Sequence, residues 1–161
     1  MSNAFPQESD KSVRIAAVET LWPMIERWMK EQGEPTEKAD KESVVSVLVK
    51  SRETCGYKLA KELESVMIFP DADLVDILDY IQIDIRKVLW EVWNAWVIEN
   101  KWVPQFKVGD LVMFPLEKGK PVPGVIAGGH PEIGLYVIQT GDVANGSHGY
   151  IIPHTVVEKR P

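Results

Sequence analysis

Four aspartates are the first residues in this chain whose type and spacing could do chemistry. Asp73, Asp76, Asp79 and Asp84 lie in one apolar-periodic stretch, and Asp76 and Asp79 stand three apart, on one face of a helix. Such carboxylates could hold a metal or work as an acid/base pair. A di-metal helical site adds a Glu-x-x-His pair, and no histidine precedes His130. The aspartates therefore read as complements to a helix N-terminus and as a solvated face.

His130, His148 and His154 all fall in the last third. They lack the paired spacing of zinc ligands; His130 follows Gly128–Gly129, and His148 follows the turn Asn145–Gly146–Ser147. Asp142, Ser147 and His148 contain the residue types of a hydrolytic triad. The surrounding Gly146–Ser147–His148–Gly149 is not a nucleophile elbow and reads as a hairpin tip. Cys55 reads as a small buried residue beside Gly56 rather than as a nucleophile. Gly128–Gly129 does not open a helix, so no phosphate cradle is expected. These residues predict no catalytic group, no metal and no cofactor, hence a protein that is not an enzyme.

The elements that would position any site centre on residues 70–102. Leu74, Leu78, Ile81, Ile85, Val88, Val92 and Trp96 recur at helical spacing, which predicts one long helix from an Asp71 cap to Trp102. From Ile83 onward a second face is apolar, with Trp90, Trp93 and Val97. A helix apolar on two sides is sandwiched between neighbours.

Before it, Ile15, Val18, Trp22, Ile25 and Met29 mark a first helix capped by Ser9 or Ser12 and ended by Gly33 and Pro35. Pro23 predicts a kink or two successive helices. Val44–Val49, preceded by Asp40 as a candidate cap, predicts a buried helix reaching about Thr54. Tyr57–Glu64 predicts a short one, with Tyr57, Ala60, Leu63 and Glu64 on one face.

After Trp102 the pattern changes. Five of the eleven glycines lie between Gly109 and Gly129, prolines crowd in, and short apolar runs fall at Leu111–Phe114, Val122–Ala127, Leu135–Gln139, Tyr150–Ile152 and Val156–Val157. This predicts five antiparallel strands. Phe106–Lys107–Val108–Gly109–Asp110–Leu111–Val112, Gly124–Val125–Ile126, Leu135–Tyr136–Val137–Ile138 and Ile151–Glu158 resemble the SH3-like barrels of the KOW and tudor kind. The resemblance covers about a third of the chain. It implies a barrel fold, and it implies binding of proteins, peptides or nucleic acid, or a structural role.

The expected fold class is α+β: a flexible tail at 1–8, a helical bundle at 9–102 and a five-stranded SH3-like barrel at 105–159. The net charge of −6 sits in the helical part, where residues 1–102 hold 13 Lys/Arg against 19 Asp/Glu. An acidic surface disfavours nucleic acid, though a local basic patch is compatible with it. One cysteine excludes an internal disulfide and fits a reducing compartment. With no secretory leader and no apolar run of about 18 residues, a cytoplasmic protein away from membranes is expected.

The leading expectation is a non-enzymatic interaction protein that docks a protein partner, of basic character by charge complementarity, through the barrel or the acidic helical face. Trp90, Trp93, Val97, Tyr136 and Tyr150 are the candidate interface residues, and a homodimer through the 71–102 helix is the simplest use of the tryptophans. The alternative is a nucleic-acid-associated regulator using residues 44–81, which resemble a helix-turn-helix, or the barrel. An enzyme with an unrecognised site is a third.

Overall fold

The structure is a computed structural model and describes residues 4–33, 38–66, 69–116, 120–140 and 148–160, without the side chains of residues 38–40 and 148. Its class is α+β: helices first, then a five-stranded antiparallel sheet. The helices are α1 (Lys11–Gln32), α2 (Lys38–Lys50), α3 (Gly56–Leu63), α4 (Ala72–Asp79) and α5 (Ile81–Glu99). Two compact units result, Pro6–Val92 and Met1–Phe5 with Trp93–Pro161, so the division falls inside α5.

In the helical unit α1 runs unbroken through Pro23 and buries Val13, Val18, Leu21, Trp22, Ile25, Trp28 and Met29. A helix-interior proline costs about 3 kcal/mol or more. Three large side chains buried beyond it, Ile25, Trp28 and Met29, contribute about 1.5–3 kcal/mol each, so packing outweighs the lost hydrogen bond. The N-cap is Asp10 rather than Ser9 or Ser12, and its carboxylate accepts from Gln7 N at 2.9 Å instead of capping the helix. Gly33 ends α1 with φ of 72°, as a C-terminal glycine should; Pro35 lies outside the described residues.

The Val44–Val49 run is helical, as expected, but α2 stops at Lys50 rather than near Thr54. Asp40 falls within α2 rather than ahead of it. In α3 the buried face is Gly56, Leu59, Ala60 and Leu63, while Tyr57 is exposed, which rotates the predicted face by one residue. Among the described residues, the most extensive helix–helix packing is of α1 with α2 and α4, and of α3 with α2 and α4.

The long helix predicted for 71–102 is two helices. At Tyr80 the main chain tightens, with Tyr80 N donating to Ile77 O at 3.2 Å, and α5 follows at once. The buried line nevertheless continues through Leu74, Leu78, Ile81, Ile85 and Leu89. Asp71 caps α4 as expected, accepting from Leu74 N at 3.0 Å and also from Trp28 Nε1 at 2.8 Å. Trp102 lies beyond the helix. Lys101 takes a left-handed φ of 50° while Trp102 N donates to Val97 O and Lys101 N to Ile98 O. Those two bonds satisfy carbonyls that the helix end leaves open.

The C-terminal unit carries β1 (Leu111–Pro115), β2 (Pro121–His130), β3 (Leu135–Thr140), β4 (His148–Pro153) and β5 (Glu158–Lys159). Their order is β4-β3-β2-β1-β5, with every pairing antiparallel. Gly109, at φ of 96°, makes the turn into β1. Asp110 closes the turn by accepting from Lys107 N at 2.8 Å. The fifth strand is displaced from its predicted place: Val156 belongs to a 3-10 turn, His154–Val156, and β5 begins at Glu158. Val157 instead turns its side chain into the core.

One sheet face builds that core from Val112, Phe114, Ile126, Tyr136 and Ile138, with Trp102, Phe106, Tyr150 and Ile152 packed around it. At the edge of the opposite face, Leu135 packs with Ile133, Phe5, Trp93 and Trp96.

Candidate functional site

The carboxylates do not assemble into a site. Asp71 caps α4, Asp79 accepts from Gly56 N at 2.6 Å, and Asp84 pairs with Lys87 at 3.3 Å. Among the described residues, no group of three or more His, Cys, Asp or Glu side chains could hold a metal ion. Cys55 is exposed as the extended N-cap of α3, contrary to its predicted burial, while the next residue, Gly56, is buried. Gly128–Gly129 lies inside β2, beside a register shift between Ile126 and Gly128. Asp142, Ser147 and the 145–147 turn lie outside the described residues, as does the side chain of His148.

The other two histidines differ. His130 is exposed, with Nδ1 3.3 Å from Glu132 Oε1. His154 sits among aromatic rings, with centroids 5.1 Å from Phe5, 5.1 Å from Trp96 and 4.6 Å from Trp102. Its Nδ1 lies 3.1 Å from Gly134 O, which makes that nitrogen the donor. Sequence alone placed His154 only in a run after Pro153; the ring cluster depends on Phe5 and His154, 149 positions apart.

Burial among the rings lowers the His154 pKa below the ordinary value, opposed by the Gly134 hydrogen bond. In this case the unfolded chain binds a proton more readily than the folded one, so stability is complete above the unfolded pKa of about 6.5. It falls as the pH drops from there toward the lower folded pKa, and then levels. Urea unfolding at pH 7.5 and pH 5.5 is expected to show this loss in the wild type and a smaller loss in His154→Gln. Equal pH dependence in the two proteins would exclude His154 as its source.

The predicted interface residues separate. Tyr136 is buried (3% exposed), and its phenol oxygen accepts from Gln105 N at 2.8 Å and Phe106 N at 3.1 Å. Tyr150 is half-buried and packs against Phe114 at 5.7 Å. Trp93 stacks on Phe5 at 5.6 Å, and Val97 lies near Gly134. Trp90 is 47% exposed and lines a shallow cavity with Ile83, Arg86, Lys87 and Glu91.

Sequence reasoning missed a different surface. In an antiparallel sheet, directly paired residues share a face. Leu111 pairs with Val125, Val125 with Gln139, and Val137 with Ile151. All stand on the face opposite the main core, and Leu111 is 52% exposed, Val125 39% and Ile151 62%. Leu135, two residues before Val137 on that same face, is covered by Phe5, Trp93 and Trp96. The face is thus largely apolar, with Gln139 and Glu158 among its residues, and is covered at the Leu135 end and exposed at Leu111, Val125 and Ile151. Leu111–Phe114 and Leu135–Ile138 are unbroken apolar runs, which is the one available signal: an alternating strand would have carried polar residues outward.

No family model, curated protein or solved structure matches the chain.

Proposed function

We propose that this is a non-enzymatic interaction protein whose C-terminal sheet is an SH3-like barrel used to dock a protein partner. The barrel reading rests on a meander β1-β2-β3-β4, a 3-10 turn after β4, and a short β5 that returns to pair with β1. The docking reading rests on one observation: the exposed apolar residues Leu111, Val125 and Ile151 stand together on a sheet face whose other end is already an apolar contact surface. Exposed sheet faces are ordinarily polar, and contiguous apolar patches mark interaction sites. A partner with apolar anchors complements this patch, while the helical part, which holds the net charge of −6, would favour one of basic character.

Capture from the host with the wild type and with Ile151→Asp tests this, together with a photo-crosslinker placed at residue 151. Support is a protein that crosslinks at 151 and is retained at least tenfold less by Ile151→Asp, with that variant still folded by circular dichroism. A partner held equally by both proteins would refute docking on this face.

A second reading is favoured by Trp90 and Ile83, exposed seven positions apart on α5. They supply an apolar face for a second copy of the chain, which is the homodimer reading narrowed from Trp90, Trp93 and Val97 to Trp90 with Ile83. The nucleic-acid alternative through residues 44–81 has less support, since α4, which follows α3, carries three aspartates and no Lys or Arg.

A further inference from the structure

A cavity of about 630 Å³ opens in the helical unit where the approach to α1 meets the end of α2. Gln7, Glu8, Ser9, Arg14, Lys50 and Arg52 line it. Its size is that of small-molecule sites, which run from about 300 to 1,000 Å³. The lining holds three cations against one carboxylate, in a protein that is acidic overall.

Arg14 is the anchor of this cluster. It is 7% exposed, and its Nη2 donates to Leu48 O at 3.2 Å and Glu53 O at 3.3 Å. Its Nε is buried with no acceptor. Among the described residues, no carboxylate lies within ion-pairing distance of Arg14, Lys50 or Arg52; Glu53, in the loop after α2, is taken by Lys58 at 3.0 Å. A buried cation held only by main-chain carbonyls is costly, because desolvation is not matched by an opposite charge. Burial accordingly lowers the Arg14 pKa, with Glu8 and Glu62 opposing from longer range.

The adjoining helix end adds to the same sign. The first turn of α1 contains no acidic residue, and Asp10 has turned its carboxylate to Gln7 N. The main-chain N–H groups of that N-terminus are thus left without a capping bond from the Asp10 side chain.

We propose that this cavity binds the phosphate group of a small phosphorylated molecule. Three cations and one carboxylate leave a lining charge that matches a phosphate monoester, about −1.5 to −2 at pH 7, better than a single carboxylate. The cavity is larger than a phosphate, which leaves room for the group that bears it. Lys50 and Arg52 are exposed and can be neutralised without disturbing the core, whereas Arg14 also ties α1 to the end of α2.

The test is a titration of the full chain with inorganic phosphate, followed by amide NMR shifts at constant ionic strength and pH 7, with succinate in parallel. Saturable shifts confined to residues 7–14 and 49–53 are expected, at least tenfold weaker in Lys50→Gln/Arg52→Gln, whose urea midpoint should match the wild type. Shifts that do not saturate or that scatter over other lysines would overturn the site. Undiminished binding by the double variant would do the same, and equal affinity for succinate would overturn the phosphate assignment.

Discussion

Phe114→Ala is expected to lower stability by about 3–5 kcal/mol, the range for emptying an aromatic position in a core. Phe114 is 1% exposed and packs with Val112, Ile126, Tyr136 and Ile138, its ring 5.7 Å from that of Tyr150. Whole domains are stable by only about 5–15 kcal/mol, so the variant should leave much of the C-terminal sheet unfolded at moderate urea. Leu111→Ala, three residues earlier in the same strand, removes a side chain that is 52% exposed and should cost less than about 1 kcal/mol. Amide hydrogen exchange across β1–β4 would read both. Equal loss of protection in the two variants would mean that the strand does not bury alternate residues as described.

Gly56→Ala sets two effects against each other. In a helix, alanine is favoured over glycine by about 1 kcal/mol. A Cβ at this position, however, would run into the main-chain oxygen of Val75 and come within 2.6 Å of Asp79 Oδ1. Gly56 N also donates to that same carboxylate at 2.6 Å. Separating α3 from α4 to make room costs about 1–3 kcal/mol in packing. Weakening a hydrogen bond to a charged acceptor costs about 1.5–3 kcal/mol more. The clash should win, for a net destabilisation of about 2–5 kcal/mol. Urea unfolding would measure it. A Gly56→Ala protein more stable than the wild type would show that helix propensity, not the α3–α4 contact, governs this residue.

Gly56 also shows why parts of the structure could not be read from the sequence. The break before α3 was legible in the two helical patterns, one reaching about Thr54 and the next starting at Tyr57. That the glycine is there for Val75 and Asp79, about 20 residues away, was not, because nothing local registers a neighbour that arrives through folding. Cys55 was misjudged for the same reason: it is exposed while the next residue, Gly56, is buried. The candidate site followed suit. Tyr136 was singled out as an aromatic that could anchor a partner, yet its phenol is an internal acceptor for the main chain at 105 and 106. The exposed residues Leu111, Val125 and Ile151 were passed over inside runs that looked uniformly buried.

Most of the element types were determined by the sequence itself. Apolar spacing of three and four marked the helices, Asp71 and Gly33 marked ends whose bonding is local, and the glycine- and proline-rich stretch after Trp102 marked strands and turns. These signals are local because the hydrogen bonds and steric limits behind them span only a few residues. Only the tertiary structure decided which face of an all-apolar strand is inside, that β5 starts at Glu158 and returns to β1, and that Trp93 meets Phe5 while Trp90 stays half exposed. Those outcomes depend on pairings between residues far apart in the chain, and local propensity is indifferent to them. For Leu111–Val112–Met113–Phe114 either face would have satisfied the hydrophobic effect; the register with β2 and β5 chose one, and left the other open.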